Sequence, residues 1–307
     1  MSGVPVHDSL PCPAATVGVV GAGRVGAVLA ARLRAAGHPV VGVSGRSAAS
    51  QLRIQTLLEG VETLAPVDVV ERADIVLIAV PDDALAEVAR DLAAHVRPGQ
   101  VVMHTSGRHG LAVVAPMVAA GARAIAFHPA MTFTGTEVDL DRSCAFGLTA
   151  LSAERPLAEA LVAELGGTPE WIDEDDRTKY HAALSHGANH LNTLVAQAMD
   201  VLRAAGVDDP SAVLRPLLTA ALDNTLAYGD AALTGAVARG DVNTVQAHAA
   251  TLSGQPEILD TYVALARATA ARAAESGRID AATAAALRQV LSEAEWEALA
   301  AATVIAG

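Results

Sequence analysis

The sequence predicts an α/β chain in two parts, a parallel-sheet domain followed by an all-α domain, on three observations. Short Val/Ile-rich runs alternate with Ala/Leu/Arg stretches at helical spacing as far as residue 172, which is the pattern of βαβ units. Beyond Ile172 the alternation stops, and Ala/Leu-rich helical periodicity runs on to Gly307. The length of 307 residues suits about two domains at ~100–200 residues each. With 52% hydrophobic and 18% charged residues, disorder is excluded as the main state.

Taken in order, residues 1–15 read as a disordered leader, 16–172 as the sheet domain and 173–307 as the helical domain. The candidate strands are residues 16–20, 40–44, 75–80, 101–104 and 124–127. Residues 144–150 and 170–172 add further strands on either side of a helix at 156–165, which stops at Gly166-Gly167. Asp173, Glu174, Asp175 and Asp176 then open the first long helix, where acids suit the positive end of the helix dipole. Breaks near 206–210, 235–240, 254–256 and 277–280 divide the remainder into about five helices.

Composition removes several function classes. A net charge of −13 speaks against nucleic acid or an acidic membrane as a partner, both of which call for a basic patch. No run of ~18 uncharged apolar residues occurs, so no membrane span is expected. The leader lacks a basic start and an unbroken apolar stretch, which excludes a signal peptide and leaves a cytoplasmic protein as the expectation. Cys12 and Cys144 are too few for a disulfide framework or a metal cluster, so no metal is expected. Of the 21 basic residues, Lys179 alone is a lysine.

The strongest local signal is the stretch TVGVVGAGRVGAVLAARLRAAGHPVVGVSGRS. Gly21, Gly23 and Gly26, with Arg24 and Val25 between the last two, form G-x-G-x-x-G directly after a strand and at the start of a helix. Glycine-rich turns also serve plain packing. Here, however, strand, loop, helix and second strand follow in order, the full context of a Rossmann-type dinucleotide site with the phosphates on free helix N–H groups. At the end of the second strand stand Ser44, Gly45, Arg46 and Ser47, with no acid for a ribose hydroxyl. Arg46 with Ser44 and Ser47 fits a 2′-phosphate, so NADP is the expected cofactor; the plainer reading makes Arg46 a surface arginine. Three more strand ends carry polar or small residues: Val80-Pro81-Asp82-Asp83, Thr105-Ser106-Gly107 and His128-Pro129. Ligands of open parallel sheets bind outside such ends, which adds Val80, Pro81, Ser106, Gly107 and His128 to the cofactor-binding candidates.

In the helical part, residues 179–200 read as a helix with an apolar face. At ~100° per residue, His181, Ser185, Asn189 and Asn192 fall in one polar stripe beside it, suited to hydrogen-bonding a small polar ligand or simply a solvated face. Lys179, the lone lysine and a further catalytic candidate with His181, Ser185 and Asn189, projects to the other side. In a second cluster, LTGAVARGDVNTVQAH, Arg239 fits a substrate carboxylate or pairs with Asp241, which is placed to cap the next helix.

Together VGVVGAGRVG, VPDDA, HTSG, FHPAMTF, KYHAALSHGANHLNTL and LTGAVARGD resemble a bacterial family with a Rossmann-like domain and a C-terminal helical domain of unknown function. The resemblance covers nearly the whole chain after the leader. That family belongs to the 6-phosphogluconate-dehydrogenase-like superfamily, with the ketopantoate reductases, pyrroline-5-carboxylate reductases and β-hydroxyacid dehydrogenases. The resemblance implies an NADPH-dependent oxidoreductase acting on a small 2-oxo acid, ketopantoate first, and a homodimer built through the helical domain. The superfamily's Lys followed four residues later by Asn is not kept: Asn189 is preceded at that spacing by Ser185, and Lys179 is followed by Ala183. His181, two turns before Asn189, matches the family's own pattern and becomes the candidate acid, with Asn189 orienting the carbonyl. The alternatives are imine reduction of the pyrroline-5-carboxylate type, which needs no dedicated acid, and a non-catalytic NADP-binding dimer.

Overall fold

The computed structural model describes residues 14–306, with residues 297–306 as helix backbone only. The expected leader at 1–15 and Cys12 lie almost wholly outside the described residues. The chain forms two compact units, Met1–Gly187 and Ala188–Gly307.

The first unit is a seven-stranded sheet with helices on both faces. Its elements are β1 Val17–Val20, α1 Arg24–Ala35, β2 Val40–Ser44, α2 Ala48–Leu57, α3 Pro66–Arg72, β3 Ile75–Ile78, α4 Asp82–Leu92, β4 Val101–His104, α5 Ala115–Ala119, β5 Arg123–Pro129, β6 Ala145–Ala150, α6 Arg155–Glu164, β7 Thr168–Trp171 and α7 Arg177–Leu184. The strand order is β2-β1-β3-β4-β5-β6-β7. β1, β3 and β4 are buried at every position, as strands covered on both faces must be. Alternate residues feed two cores. Ile75, Leu77, Met103 and Phe127 join Leu29, Leu33 and Phe146 on one face, while Val76, Ile78 and Val102 join Val69, Leu85 and Met117 on the other. With few aromatics available, the Phe127–Phe146 contact at 4.8 Å between centroids is the main ring pair of this core.

The sheet is not wholly parallel. β5 and β6 pair antiparallel, His128 opposite Gly147. A parallel partner needs a crossover, as α6 supplies between β6 and β7. Residues 130–144 supply none: the Asp139 carboxylate accepts from the Thr134 and Gly135 amides, both at 2.8 Å, and folds the segment into a compact loop. The first unit also runs further than the compositional change at residue 172, because α7 is anchored on the sheet by the buried Arg177.

The second unit contains α8 His190–Ala204, α9 Pro210–Tyr228, α10 Val242–Leu252, α11 Pro256–Glu275 and α12 Ala281–Ala306. The breaks expected at Gly206–Pro210, Gly254–Pro256 and Gly277–Asp280 separate these helices, and the 235–240 turn precedes α10. Its core is made by α10, α11 and α12 through Val245, Leu252, Leu259, Val263, Leu287 and Leu291. α9 is different: over 19 residues only Pro210 and Leu214 are buried.

Candidate active site

The glycine loop is built to keep side chains out. Gly21 follows β1 with φ +103°, a left-handed conformation open to glycine. A Cβ there would lie 2.5 Å from the Ala79 carbonyl oxygen, and one on Gly26 would lie 2.1 Å from that of Gly21. Backbone and helix α1 therefore approach at a distance only hydrogen side chains allow. Gly23 caps α1 without any side chain, and no acid stands in the first turn, so the Arg24, Val25 and Gly26 amides are left for an outside acceptor. Below the loop, Ser44 is buried and its hydroxyl accepts from the Gly21 amide at 3.1 Å. Ser47 caps α2, accepting from the Ser50 amide at 3.1 Å, and Arg46 is exposed. Val80 is half-buried beside Gly21, and Pro81 is the exposed cap of α4.

Two strands further along the same edge, β4 ends in a pinned loop. His104 is fully buried; its Nε2–H donates to the Gly110 carbonyl at 2.9 Å and its Nδ1 accepts from the Ser106 amide at 3.3 Å. Burial above all, then the Arg177 charge, lowers its pKa to about 4 and keeps it neutral. Ser106 Oγ accepts from the His109 amide at 3.1 Å. The sequence places a polar run at this strand end, and the structure shows that most of it holds the loop rather than facing outward.

What fastens the loop is one face of the segment that opens α7. Glu174, Arg177 and Tyr180 recur every three residues, with His181 beside the last. The Glu174 carboxylate accepts from the Leu111 amide at 2.7 Å and the Ala112 amide at 3.1 Å. Arg177, 1% exposed, donates to the Ser106 carbonyl at 2.6 Å and the Gly147 carbonyl at 3.0 Å. Its Nε is buried without a partner. Tyr180 lies 2.9 Å by its hydroxyl from His128 Nδ1 on β5. His181 stands edge-on to His128, the ring centroids 6.1 Å apart. Between the two imidazoles is Gly107, where a Cβ would be 2.6 Å from His181 Cδ2 and 3.0 Å from His128 Nε2. His128 is also held neutral: burial first, then Arg177 and His181, bring its pKa to about 4. Sequence reasoning missed Glu174, Arg177 and Tyr180; their three-residue spacing was the available signal.

Residues 1–129 match the model of the Rossmann-like domain, and residues 144–269 match that of a domain of unknown function, DUF2520. The chain pairs a Rossmann-like domain with a DUF2520 domain. No curated protein matches it in sequence. Among solved structures, it is similar to a Bacteroides fragilis protein with a provisional assignment as an NADP oxidoreductase, at 23% identity over 83% of this chain and 98% of that one, TM-score 0.73. A Plasmodium falciparum pyrroline carboxylate reductase with NADP bound matches at 12% identity over 84% and 98%, TM-score 0.56. A reductive aminase from Aspergillus terreus, in complex with NADPH and ethyl-5-oxohexanoate, matches at 17% identity over 92% and 94%, TM-score 0.56. These likenesses are likenesses of fold.

The DUF2520 segment begins inside the sheet at β6 and carries the Arg177–Tyr180–His181 face. Of the residues expected in its polar stripe, His181 is the one brought to His128 and Gly107. The stripe assumed α-helical spacing throughout, but Ser185–Asn189 is a π-helix. Ser185 still bonds the His181 carbonyl through its amide in α-helical fashion, and the i→i+5 bonds change the helical phase only beyond it. Lys179 is solvent-facing and bonded to Asp176 at 2.6 Å, away from the cluster. Asp241 caps α10, accepting from the Thr244 amide at 3.1 Å and its hydroxyl at 2.6 Å. Arg239 is exposed on the preceding turn.

Proposed function

We propose that this chain is an NADP(H)-dependent oxidoreductase that reduces a small carbonyl compound, a 2-oxo acid of the ketopantoate type being the first to test. The observation that carries this reading is the shared edge: a glycine cradle closed to a Cβ at Gly21 and Gly26 follows β1, and two strands along the same sheet Gly107 follows β4, with His128 at the end of β5 and His181 of α7 beside it. The residues present fit a dinucleotide. The Arg24, Val25 and Gly26 amides would take its phosphates, and Arg46, exposed beside Ser47, would take a 2′-phosphate. The names of the Plasmodium and Aspergillus proteins, which carry NADP and NADPH, support the same cofactor.

When bound, a reduced nicotinamide supplies the hydride. The chain's own part is to exclude Cβ bulk at Gly107, hold the carbonyl and bring a proton. His181 is the candidate proton donor, since it lines Gly107 and is not locked in a backbone hydrogen bond as His104 is. Asn189, Asn192, Ser185 and Arg239 are candidates for substrate contacts, with Asp241 shaping the turn that carries Arg239. The similarity to a pyrroline carboxylate reductase and a reductive aminase favours imine reduction as the second reading. The reading includes a homodimer, supported by α9: Val213, Leu217, Leu222, Leu226 and Tyr228 are exposed on one helix, next to an apolar groove of about 560 Å³ within the helical unit.

A thermal-shift titration with NADPH and NADH, followed by NADPH oxidation with ketopantoate and with 1-pyrroline-5-carboxylate, tests the reading. Stabilisation by NADPH and turnover of the oxo acid are expected. Stabilisation by neither dinucleotide would refute it, and turnover confined to the imine would select the second reading.

A further inference from the structure

His128 lies between Tyr180 behind it, which the proposed reaction has so far not used, and Gly107 in front. Its Nδ1 is 2.9 Å from the Tyr180 hydroxyl, and its Nε2 points to the space a Gly107 side chain would fill. Burial raises the pKa of Tyr180, so the phenol keeps its proton. A protonated phenol can donate to a neutral imidazole, and an Nδ1 that accepts has no proton of its own. In that arrangement the imidazole proton sits on Nε2, on the side of Gly107.

We propose that His128 hydrogen-bonds the reacting oxygen of the substrate, donating from Nε2 as a neutral imidazole, with Tyr180 as the positioning residue that fixes this tautomer. The assignment rests on the oxidoreductase reading above and narrows its substrate class. A carbonyl oxygen accepts from Nε2–H, whereas an iminium N–H is itself a donor and finds no acceptor there. In the reaction, the carbonyl carbon gains the hydride and the π electron pair moves to oxygen. The oxyanion is held by Nε2–H and takes a proton from His181, which solvent then restores; the carbonyl becomes an alcohol as NADPH becomes NADP+. A neutral donor already pointed at the developing charge needs no reorganisation at that moment.

The surroundings agree from each element packed around the ring. Arg177 and His181 on α7 and His104 on β4 disfavour a charge on His128, and Asp82 at the start of α4 is the one acid that opposes them. The buried Arg177 also ties the Ser106 carbonyl to Gly147, directly opposite His128, so the ring and the Gly107 loop are braced by one side chain. Gly147 itself is a close approach: a Cβ there would stand 2.5 Å from the Tyr180 hydroxyl, so glycine at this register lets the phenol reach His128.

The test is 15N NMR of the full chain labelled at histidine, with H128Q to assign the resonances, alongside steady-state kinetics. The wild type should show His128 neutral with the proton on Nε2. Y180F should give a mixture of tautomers and lower kcat about tenfold, with KM for NADPH unchanged. H128Q, which keeps an N–H near the Nε2 position, should retain more turnover than H128A, melting temperatures confirming that each variant is folded. A wild-type His128 carrying its proton on Nδ1, or protonated at neutral pH, would overturn the proposal. Carbonyl turnover left unchanged by Y180F and H128A would overturn this assignment alone, while absence of NADPH binding in the wild type would overturn the oxidoreductase reading and the assignment with it.

Discussion

Lowering the pH from about 7 to about 5 should weaken the fold through two particular histidines. His104 and His128 have an ordinary value of 6.5 and are brought to about 4 in the folded chain, burial being the largest cause for both. The unfolded chain therefore binds more protons than the folded one between these values. Stability from this source is complete above about 6.5 and is lost as the pH falls towards 4. At about pH 5 an unfolded imidazole is almost fully protonated and one with a pKa near 4 only about a tenth, which integrates to about 2 kcal/mol per histidine lost from pH 7. Urea unfolding at the two pH values, on wild type, H104Q and H128Q, isolates each contribution, since the other histidines titrate in all three. Each variant should lose about 2 kcal/mol less than wild type over the interval. A variant that loses as much as wild type would refute the argument that burial holds that imidazole neutral.

Three further outcomes follow from the packing. G26A would set a methyl 2.1 Å from the Gly21 carbonyl oxygen, so it should cost about 2 kcal/mol or more in urea unfolding and abolish NADPH-induced stabilisation. R177M strands the Ser106 and Gly147 carbonyls in a buried setting and should lower stability by about 2–4 kcal/mol, with the His128 NMR signals shifting as the brace is lost. K179A should leave melting temperature and turnover within error of wild type, because Lys179 faces solvent and bonds only Asp176; a large loss of turnover would return it to the catalytic candidates.

The glycine loop and the strands were legible because each depends on local sequence. Gly21 and Gly26 are required by short-range contacts with each other and with Ala79 after β3, and the strands at 40–44 and 101–104 fall where the apolar runs stand. The antiparallel β5–β6 pair was not legible, since it turns on whether residues 130–144 form a crossover helix, and Asp139 settles that by capturing amides four and five residues away. The polar stripe was drawn with one helical period, and the π-turn at Ser185–Asn189 changes that period in a way no composition signals. The acidic run before α7 was read through the helix dipole; Glu174 instead binds two amides more than sixty residues earlier in the chain. Arg177 and Tyr180 were overlooked for the same reason. Their partners lie on β5 and β6 (His128 and Gly147) and on the loop after β4 (Ser106), which only the assembled sheet brings beneath them.

The central claim is that the loop at Gly21–Gly26 and Arg46 together bind a phosphorylated nicotinamide dinucleotide for hydride transfer. Fluorescence titration of wild type and R46A with NADPH and with NADH tests it most directly. NADPH should bind wild type at least about tenfold more tightly than NADH, and R46A should remove most of that preference while leaving NADH affinity unchanged. Equal affinity for the two dinucleotides, or tighter binding of NADH, would contradict the account.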